Sequence, residues 1–314
     1  MAYKYLLPLS AIILSCNPDG KKLYLLEELR VPVAQFWIKP SGAPTAEQMC
    51  RTFSGEIYCQ QSPLRPAQAA GEKAYLTFVS IHTGTDAVKF ELTRIKQLQN
   101  PLGGGRGPQQ GAANQEIKPE KFGLNSLAPN AVTLNTLLQD SPLRVEQVGY
   151  ELTLPTLQDL QNDFRTSGAL PTYSFEYKAM VNEKSDRGSV SVYLLPSPAE
   201  TAVWQSLSTL ASPQAIEALK KQAVTNIPPS LGAISAAAEV SGEVNLEVAN
   251  GTTADVDENA KKRVQWFVTQ GELVNERSQK TLWKTKTPGP AGLFVMIRDL
   301  QGGVDFAFAK TVVK

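Results

Sequence analysis

The sequence has little of the chemistry from which catalytic and metal sites are built, because its 314 residues include one histidine, His82, and three cysteines. Serine-nucleophile catalysis needs a base, and although Asp86 follows His82, no GxSxG elbow accompanies the pair. Zinc needs several soft ligands, and no CxxC spacing occurs. We therefore expect no catalytic residue and no cofactor in this chain.

Long hydrophobic runs are also missing. The apolar run from Tyr5 to Leu14 has half of the roughly 20 residues that a membrane-spanning helix needs. Lys4 precedes this run and small residues stand at its end, which is the pattern of a secretory signal peptide. The sequence therefore predicts an exported protein.

The residues before Cys16 carry a more specific pattern. Ile13, Leu14 and Ser15 resemble the lipobox of bacterial lipoproteins, in which an aliphatic, a variable and a small residue precede the cysteine that is diacylated. The resemblance implies a signal peptide over residues 1–15 and acyl chains such as palmitate on Cys16. The alternative is an ordinary cleaved signal peptide.

A polar segment, residues 16–27, follows the cysteine and is expected to tether the folded part to the membrane. By the same resemblance, Asn17 rather than Asp after the cysteine implies the outer membrane of the bacterial cell envelope. The protein is expected to face either the periplasm or the cell surface.

No charge of one sign dominates. The chain has 31 Lys and Arg against 30 Asp and Glu, and the signal peptide removes only Lys4, which leaves the mature chain balanced. Nucleic-acid binders normally cluster a basic excess on one face. We expect no nucleic-acid partner, and a chain of about 300 mature residues is long enough for two domains.

The cysteine count fits export. If Cys16 is acylated, Cys50 and Cys59 remain as an even pair within "CRTFSGEIYC". Disulfides persist in oxidising compartments, so these two cysteines are expected to close a disulfide loop. Two buried free thiols are the alternative that the sequence leaves open.

The C-terminal region alternates apolar and polar residues with period two, which predicts short strands. In "RDLQGGVD", Asp299 is expected to accept amide hydrogens in the turn between the last two strands. Strands at this spacing favour a β-sandwich over residues 228–314. The strand segments are "VNLEVAN", "VQWFVT", "LFVMIRD" and "VDFAFAKTVV".

The motifs "WFVTQGEL" and "TLWKTKTPGPAGLFVMIRDLQGGVDFA" resemble the closing half of PKD-like and other immunoglobulin-like domains of bacterial surface proteins. The resemblance covers about 50 of 314 residues. It implies an immunoglobulin-like sandwich with Trp266 in the core between its sheets, and such sandwiches serve adhesion, spacing and ligand recognition alike.

The N-terminal domain, residues 28–227, is also expected to be an antiparallel sandwich, but an irregular one with insertions. "TYSFEYKAMV" and "SVSVYLL" predict a hairpin around "NEKSDRG", and further strands are expected at "AYLTFVSI", "AVKFELTR" and "LRVEQVGYELT". The paired prolines of "NIPPS", at 226–230, predict the joint between the domains.

The expected insertions are of two kinds. Thr156 is a candidate N-cap for a helix in "TLQDLQNDF", and Ser212 with Pro213 predicts the start of a helix in "SPQAIEALKKQAV". Residues 100–121 are Gly-, Gln- and Pro-rich, which favours a mobile low-complexity loop over a phosphate-binding loop.

An acidic loop precedes the Trp266 strand. Asp255, Asp257 and Glu258 offer hard oxygen ligands at close spacing, which makes them a weak candidate for binding Ca²⁺. The following run 261–263 is basic and neutralises the loop, so a solvated charged loop is the favoured interpretation.

The sequence thus predicts an all-β, lipid-anchored envelope protein of two immunoglobulin-like β-sandwich domains, the first with helical and low-complexity insertions. We expect a non-catalytic role in binding, adhesion or scaffolding, with a protein or glycan partner. The alternative is an envelope hydrolase, or a carbohydrate-processing accessory, that uses His82 or a carboxylate pair in the irregular first domain.

Overall fold

The computed structural model describes residues 24–26, 29–40, 43–44, 49–60, 73–98, 115–127, 132–137, 141–156, 158–159, 161–163, 172–194, 201–222, 229–250, 263–299 and 303–314. Antiparallel sheets dominate these ranges, and helices are few.

The first half of the chain forms a six-stranded and a four-stranded sheet, in the orders β2-β3-β1-β4-β8-β7 and β10-β9-β5-β6. The strands are β1 Arg30–Ile38, β2 Cys50–Phe53, β3 Glu56–Gln60, β4 Lys73–Thr83, β5 Lys89–Leu98, β6 Gln115–Glu116, β7 Val132–Leu137, β8 Leu143–Thr153, β9 Thr172–Val181 and β10 Lys184–Tyr193.

The second half forms two four-stranded sheets, in the orders β11-β13-β16-β15 and β12-β18-β17-β14. Its strands are β11 Leu231–Ser235, β12 Glu239–Val240, β13 Glu243–Asn250, β14 Arg263–Val268, β15 Glu272–Val274, β16 Lys280–Lys284, β17 Gly289–Arg298 and β18 Val304–Val313.

Both halves have the strand order of immunoglobulin domains, in which strands A, B, E and D form one sheet and C, F and G the other. In the second half β11, β13, β16 and β15 correspond to A, B, E and D, and β12 pairs with β18 in parallel. In the first half the sheet β1-β4-β8-β7 corresponds to A-B-E-D, and β10-β9-β5 to G-F-C. The prediction of two immunoglobulin-like sandwiches is therefore confirmed by topology.

The two sandwiches pack face to face. The outer face of the six-stranded sheet, which points away from the core of its own sandwich, meets the outer face of the sheet β12-β18-β17-β14. The four sheets therefore form a stack with an apolar layer in each of its three gaps. The middle layer consists of Leu26, Val33, Val79, Ile81, Leu143, Val145, Phe267, Phe294, Met296, Val304 and Phe306.

Burial on both faces changes how the central strands use their side chains. From Ala74 to His82, every residue of β4 is buried, although antiparallel strands at a protein surface normally alternate buried and exposed positions. The even-numbered apolar residues of β4 enter the core of the first sandwich, while Val79 and Ile81 enter the middle layer.

The described residues just before β1, 24–26 and 29, contribute to all three apolar layers. Tyr24 packs in the core of the second sandwich, Leu26 in the middle layer and Leu29 in the core of the first sandwich. Val268 N donates to Tyr24 O over 2.9 Å and Leu26 N donates to Val268 O over 2.8 Å, so residues 24–26 extend the sheet beside β14. The last part of the segment expected to be a polar tether, residues 24–26, is thus part of the folded body.

Most predicted strands are present, and the end of the second sandwich is as expected. Trp266 is fully buried, and its Nε1 donates to Ser278 O over 2.7 Å. In the last hairpin, Gly303 N donates to the Asp299 carboxylate over 2.9 Å. Both sequence interpretations of these residues are confirmed.

The predicted helix starts are also present. Ser212 Oγ accepts a bond from Ala215 N over 3.3 Å and caps the helix Pro213–Gln222. Thr156 and Asp159 exchange side-chain and backbone bonds, as in a capping box.

Two predicted loops are wrong in part. "NEKSDRG" was expected as a loop, but β10 begins at Lys184, because an edge strand with a solvated face needs few apolar residues. The low-complexity loop 100–121 ends earlier than expected, because Ile117 and Phe122 are buried and residues 115–122 form β6 and a 3₁₀ turn. Residues 100–114 lie outside the described ranges, as do 226–228 of the predicted joint.

We predict that Gly292→Val lowers stability by about 1–3 kcal/mol, because overpacking strains a filled apolar layer. A Cβ at Gly292 would lie 2.2 Å from Cβ of Leu143, across the gap between the sandwiches. Adding Leu143→Gly, which removes that Cβ, should recover part of this loss, although Leu143→Gly alone is also destabilising. Urea unfolding of both single variants and the double variant measures the coupling, and strictly additive losses would contradict the packing.

Candidate functional site

Polar and aromatic side chains gather where the outer face of the six-stranded sheet meets β18, among otherwise apolar contacts. We call this set the junction cluster. It consists of Gln35, Trp37, Arg51, Gln60 and Gln147 of the first sandwich and Val304, Asp305 and Phe306 of the second.

The period of the strands places the five side chains of the first sandwich on one face. In β1, Phe36 and Ile38 point into the core of the first sandwich, so Gln35 and Trp37 point outward. Gln60 of β3 lies directly opposite Trp37 and therefore shares its face. The Trp37 Nε1 donates to Thr77 Oγ1 over 2.9 Å, which fixes the indole against the sheet.

Arg51 is the cation of the junction cluster. Its guanidinium carbon lies 5.4 Å from the Trp37 ring centroid and 5.6 Å from that of Phe306, so it contacts an aromatic ring of each sandwich. Its Nη1 donates to Gln147 Oε1 over 3.0 Å. Burial lowers the pKa of Arg51, while the charge of Asp305 opposes that shift.

The Arg51 contact also defines the shape of the sheet. On a flat sheet β2 and β8 would be four strand spacings, about 19 Å, apart, which is farther than an arginine side chain reaches. Because Arg51 on β2 nevertheless bonds Gln147 on β8, the sheet is curled and its outer face is concave.

Two glutamines bind one carbonyl across the junction. Gln35 Nε2 and Gln60 Nε2 each donate to Val304 O over 3.0 Å. The three glutamines of the cluster are at most 3% exposed. Three of their amide atoms have no hydrogen-bond partner among the described residues: Gln35 Oε1, Gln60 Oε1 and Gln147 Nε2. Burying these atoms costs free energy, so this part of the interface is less stable than its apolar surroundings.

Asp305 lies on the inner side of β18. Its carboxylate accepts a bond from Leu231 N over 2.7 Å and so holds the first residue of β11. Burial raises the pKa of Asp305, while the bond from Leu231 and the charge of Arg51 oppose the rise.

The junction cluster has the chemistry of an interface that docks one sandwich on the other. It offers a cation between two rings, carboxamides and one carboxylate. It has no serine or cysteine nucleophile paired with a base. Sequence reasoning missed the cluster, although "QFWI", in which a polar residue is followed by three apolar residues of a strand, indicated that both faces of β1 are covered.

Among the predicted site residues that the structure describes, Cys50 and Cys59 are brought together. Cys50 and Cys59 form the expected disulfide between β2 and β3, which are a hairpin rather than a loop. Cys16 and the calcium candidates Asp255, Asp257 and Glu258 lie outside the described residues.

His82 has the environment of a structural residue. It is 1% exposed, its Nδ1 lies 3.4 Å from Thr83 O, and burial lowers its pKa. Asp86, four residues after His82, accepts a hydrogen bond from Asn182 rather than from the His82 ring. Ser80 Oγ donates to Glu146 O, so no serine–histidine–aspartate relay forms around His82 in the part of the chain that the structure describes.

Two carboxylates lie on the rim of the same outer face. Bonding to Lys39 lowers the pKa of Glu56, and bonding to Lys73 lowers the pKa of Glu151. A glycoside hydrolase needs one carboxyl group that stays protonated near neutral pH. The pKa values of Glu56 and Glu151 are lowered rather than raised, so neither carboxyl group suits that role.

Within the described ranges, no three His, Cys, Asp or Glu side chains come close enough together to hold a metal ion. Among the helices of those same ranges, none combines the length and the apolar character needed to cross a bilayer.

Comparison with known proteins gives no family. No protein-family model matches the chain, and no curated protein matches it. Solved structures with similar arrangements include tandem Ig repeats of Dlar (9% identity, 81% of this chain and 95% of that chain, TM-score 0.23).

Two bacterial structures are also similar. The adhesin InvE of Yersinia pseudotuberculosis is 10% identical over 80% of this chain and 57% of its own, with TM-score 0.20. A SusE-like surface-located polysaccharide-binding protein of Bacteroides thetaiotaomicron is 9% identical over 94% of this chain and 50% of its own, with TM-score 0.20. At these scores the assignment of the fold depends on the strand order described above.

We predict that Asp305→Asn removes a pH-dependent loss of stability. Folding raises the pKa of Asp305. The stability that its protonated carboxyl contributes is therefore fully present below the pKa of the unfolded chain, about 3.9, and is lost as the pH rises through the raised pKa of the folded protein. Asn keeps an oxygen that accepts from Leu231 N. The urea midpoint of the variant relative to wild type should therefore increase from about pH 3.5 to 7, and a constant difference would contradict the burial of a charged Asp305.

Proposed function

We propose that the protein is a lipid-anchored, non-catalytic binding protein of the bacterial outer membrane, which holds a glycan or protein partner close to the bilayer. The observation that carries this proposal is the apolar layer between the two sandwiches, which makes them one body. Interfaces of this apolar kind are typical of permanent rather than transient association.

A single body favours binding. Its loops and sheet edges keep fixed relative positions, so a partner that contacts both sandwiches loses less freedom on binding. Immunoglobulin-like scaffolds commonly use such surfaces for recognition, and the PKD-like resemblance of the second sandwich supports the same role.

The lipid anchor would hold this body near the membrane. From Cys16 to Tyr24 the chain spans at most about 28 Å when fully extended. Tyr24 is fixed in the core of the second sandwich, so the folded part lies within that distance of the acyl chains. Two or more acyl chains give stable membrane attachment.

The rim of the concave outer face is the contact surface that we favour. It carries two half-exposed ion pairs, Lys39–Glu56 at 2.8 Å and Lys73–Glu151 at 2.6 Å. Tyr58 and Tyr75 hydroxyls donate to the two carboxylates. The rings behind them pack against one another with Trp37 and Phe53, so this surface presents many polar groups on a firm aromatic base.

A glycan suits this rim better than an apolar partner. Sugar hydroxyls both donate and accept, and the rim offers carboxylate acceptors and ammonium donors side by side. The face of the second sandwich that lies farthest from the junction also carries ion pairs, Lys280–Glu247 and Lys284–Glu243, but no aromatic cluster lies beneath them among the described residues. It therefore provides a matched control.

We predict that Cys16→Ala moves the protein from the membrane fraction to the soluble fraction of the envelope, because the acyl chains are then absent. Fractionation of cells followed by immunoblotting measures this. Cys50→Ser/Cys59→Ser is the control and should stay with the membrane. Retention of Cys16→Ala after an alkaline wash would contradict lipid anchoring.

We predict that Lys39→Ala/Lys73→Ala weakens binding to purified bacterial surface polysaccharide by about tenfold or more, since two charged hydrogen-bond donors are lost. Lys280→Ala/Lys284→Ala should bind as wild type does. Isothermal titration measures the affinities, and the mass of the recovered polysaccharide tests for cleavage. Equal losses in both variants would contradict the rim as the binding surface, and shortened polysaccharide would contradict a non-catalytic role.

A further inference from the structure

The disulfide lies next to two residues that contact the other sandwich. Arg51 follows Cys50, and Gln60 follows Cys59. Arg51 lies over the Phe306 ring, and Gln60 bonds Val304 O. The bridge joins two residues of the first sandwich, yet its immediate neighbours make contacts that cross the junction.

The strand pleat explains this arrangement. Cys59 pairs with Ile38, which points into the core of the first sandwich, and Gln60 pairs with Trp37, which points outward. The sulfur atoms therefore lie on one side of the hairpin, and Arg51 and Gln60 lie on the other. Fixing the sulfurs fixes the direction of both junction contacts.

The hairpin has few other attachments to its sheet. Among the described strands, β2 is an edge strand that pairs with β3 alone, and the paired register of β3 with β1 covers Trp37–Gln60 and Ile38–Cys59. Side chains give further support through the aromatic packing of Phe53 and Tyr58, the Lys39–Glu56 ion pair, and the hydrogen bonds Arg51–Gln147 and Ser54–Tyr75. Loss of the covalent bridge would therefore act directly on the part of the first sandwich that holds Arg51.

We propose that the Cys50–Cys59 disulfide is a redox-sensitive latch between the two sandwiches, which holds Arg51 and Gln60 on β18 when oxidised and loosens the junction when reduced. The unpaired amide atoms of Gln35, Gln60 and Gln147 favour opening, because exposure to water would satisfy them. The closed state thus depends on the contacts that the hairpin supplies.

The reducing partner is a dithiol. One thiolate attacks Cys50 Sγ, which belongs to the more exposed of the two cysteines, forms a mixed disulfide and releases the Cys59 thiolate. The second thiolate of the dithiol then attacks the other dithiol sulfur, which is bonded to Cys50 Sγ, and releases the Cys50 thiolate. The dithiol becomes a cyclic disulfide, and two protons end on the cysteine sulfurs.

Methionine oxidation reports on the junction. Met296 is 3% exposed in the middle apolar layer, whereas Met180 lies on β9, in the sheet farthest from the junction. Thioether oxidation by peroxide follows exposure, and peptide mass spectrometry measures both rates in one sample. The full chain with Cys16→Ala serves as the reference, so that Cys50 and Cys59 are its only thiols.

In the full chain with Cys16→Ala, we expect Cys50→Ser/Cys59→Ser to oxidise at Met296 about tenfold faster than the reference, with Met180 unchanged. Arg51→Ala with an intact bridge should also accelerate oxidation at Met296, because it removes the contact with Phe306. In addition, dithiothreitol should make Cys50 and Cys59 available to a thiol label while the far-ultraviolet circular dichroism stays that of the folded sheets.

Three results would overturn the proposal. An unchanged rate at Met296 in the variant without the bridge would show that the junction does not depend on it. An equal acceleration at Met180 would show that the bridge holds the fold of the first sandwich rather than the junction. A bridge that dithiothreitol reduces only together with loss of the far-ultraviolet circular dichroism of the folded sheets would show that reduction requires unfolding.

Discussion

The apolar layer between β1, β4 and β8 on one side and β14, β17 and β18 on the other is the interaction on which the rest of the structure depends. It converts two immunoglobulin-like sandwiches into a stack of four sheets. Because this layer covers the outer face of the six-stranded sheet, that sheet can carry apolar side chains on both faces. Tyr24, Leu26 and Leu29 each contribute to a different layer of the stack, so the chain is joined to both sandwiches before β1 begins.

The polar patch within this apolar layer fixes the relative position of the two sandwiches, which the apolar contacts alone do not. Apolar contacts tolerate sliding, whereas two amides that converge on Val304 O and a guanidinium between Trp37 and Phe306 fit one relative position of the sandwiches. The cost of the unpaired amide atoms lowers the stability of that position. The polar patch therefore fixes the geometry of the junction, while the apolar layer around it supplies most of the attraction between the sandwiches.

Sequence reasoning recovered the fold class because it depends on local signals. Period-two patterns gave the strands of both sandwiches, Ser212 and Thr156 gave helix starts, and cysteine parity gave the Cys50–Cys59 bridge. It missed the junction because Arg51, Gln147 and Val304 are distant in sequence, and no local pattern says which sheet faces pair. It also assigned Tyr24 and Leu26 to a tether, because a short apolar segment looks the same whether it is exposed or packed.

The relative position of the two sandwiches is the central claim, and the distance between their outermost sheets tests it most directly. Spin labels attached through unnatural amino acids at Ser189 of β10 and Glu247 of β13 would report this distance by pulsed electron resonance, with no added cysteine. A single narrow distance distribution is expected, because the four sheets between and including the labels form one stack. A broad distribution in the oxidised protein would contradict it, since two sandwiches connected only by a linker sample many separations.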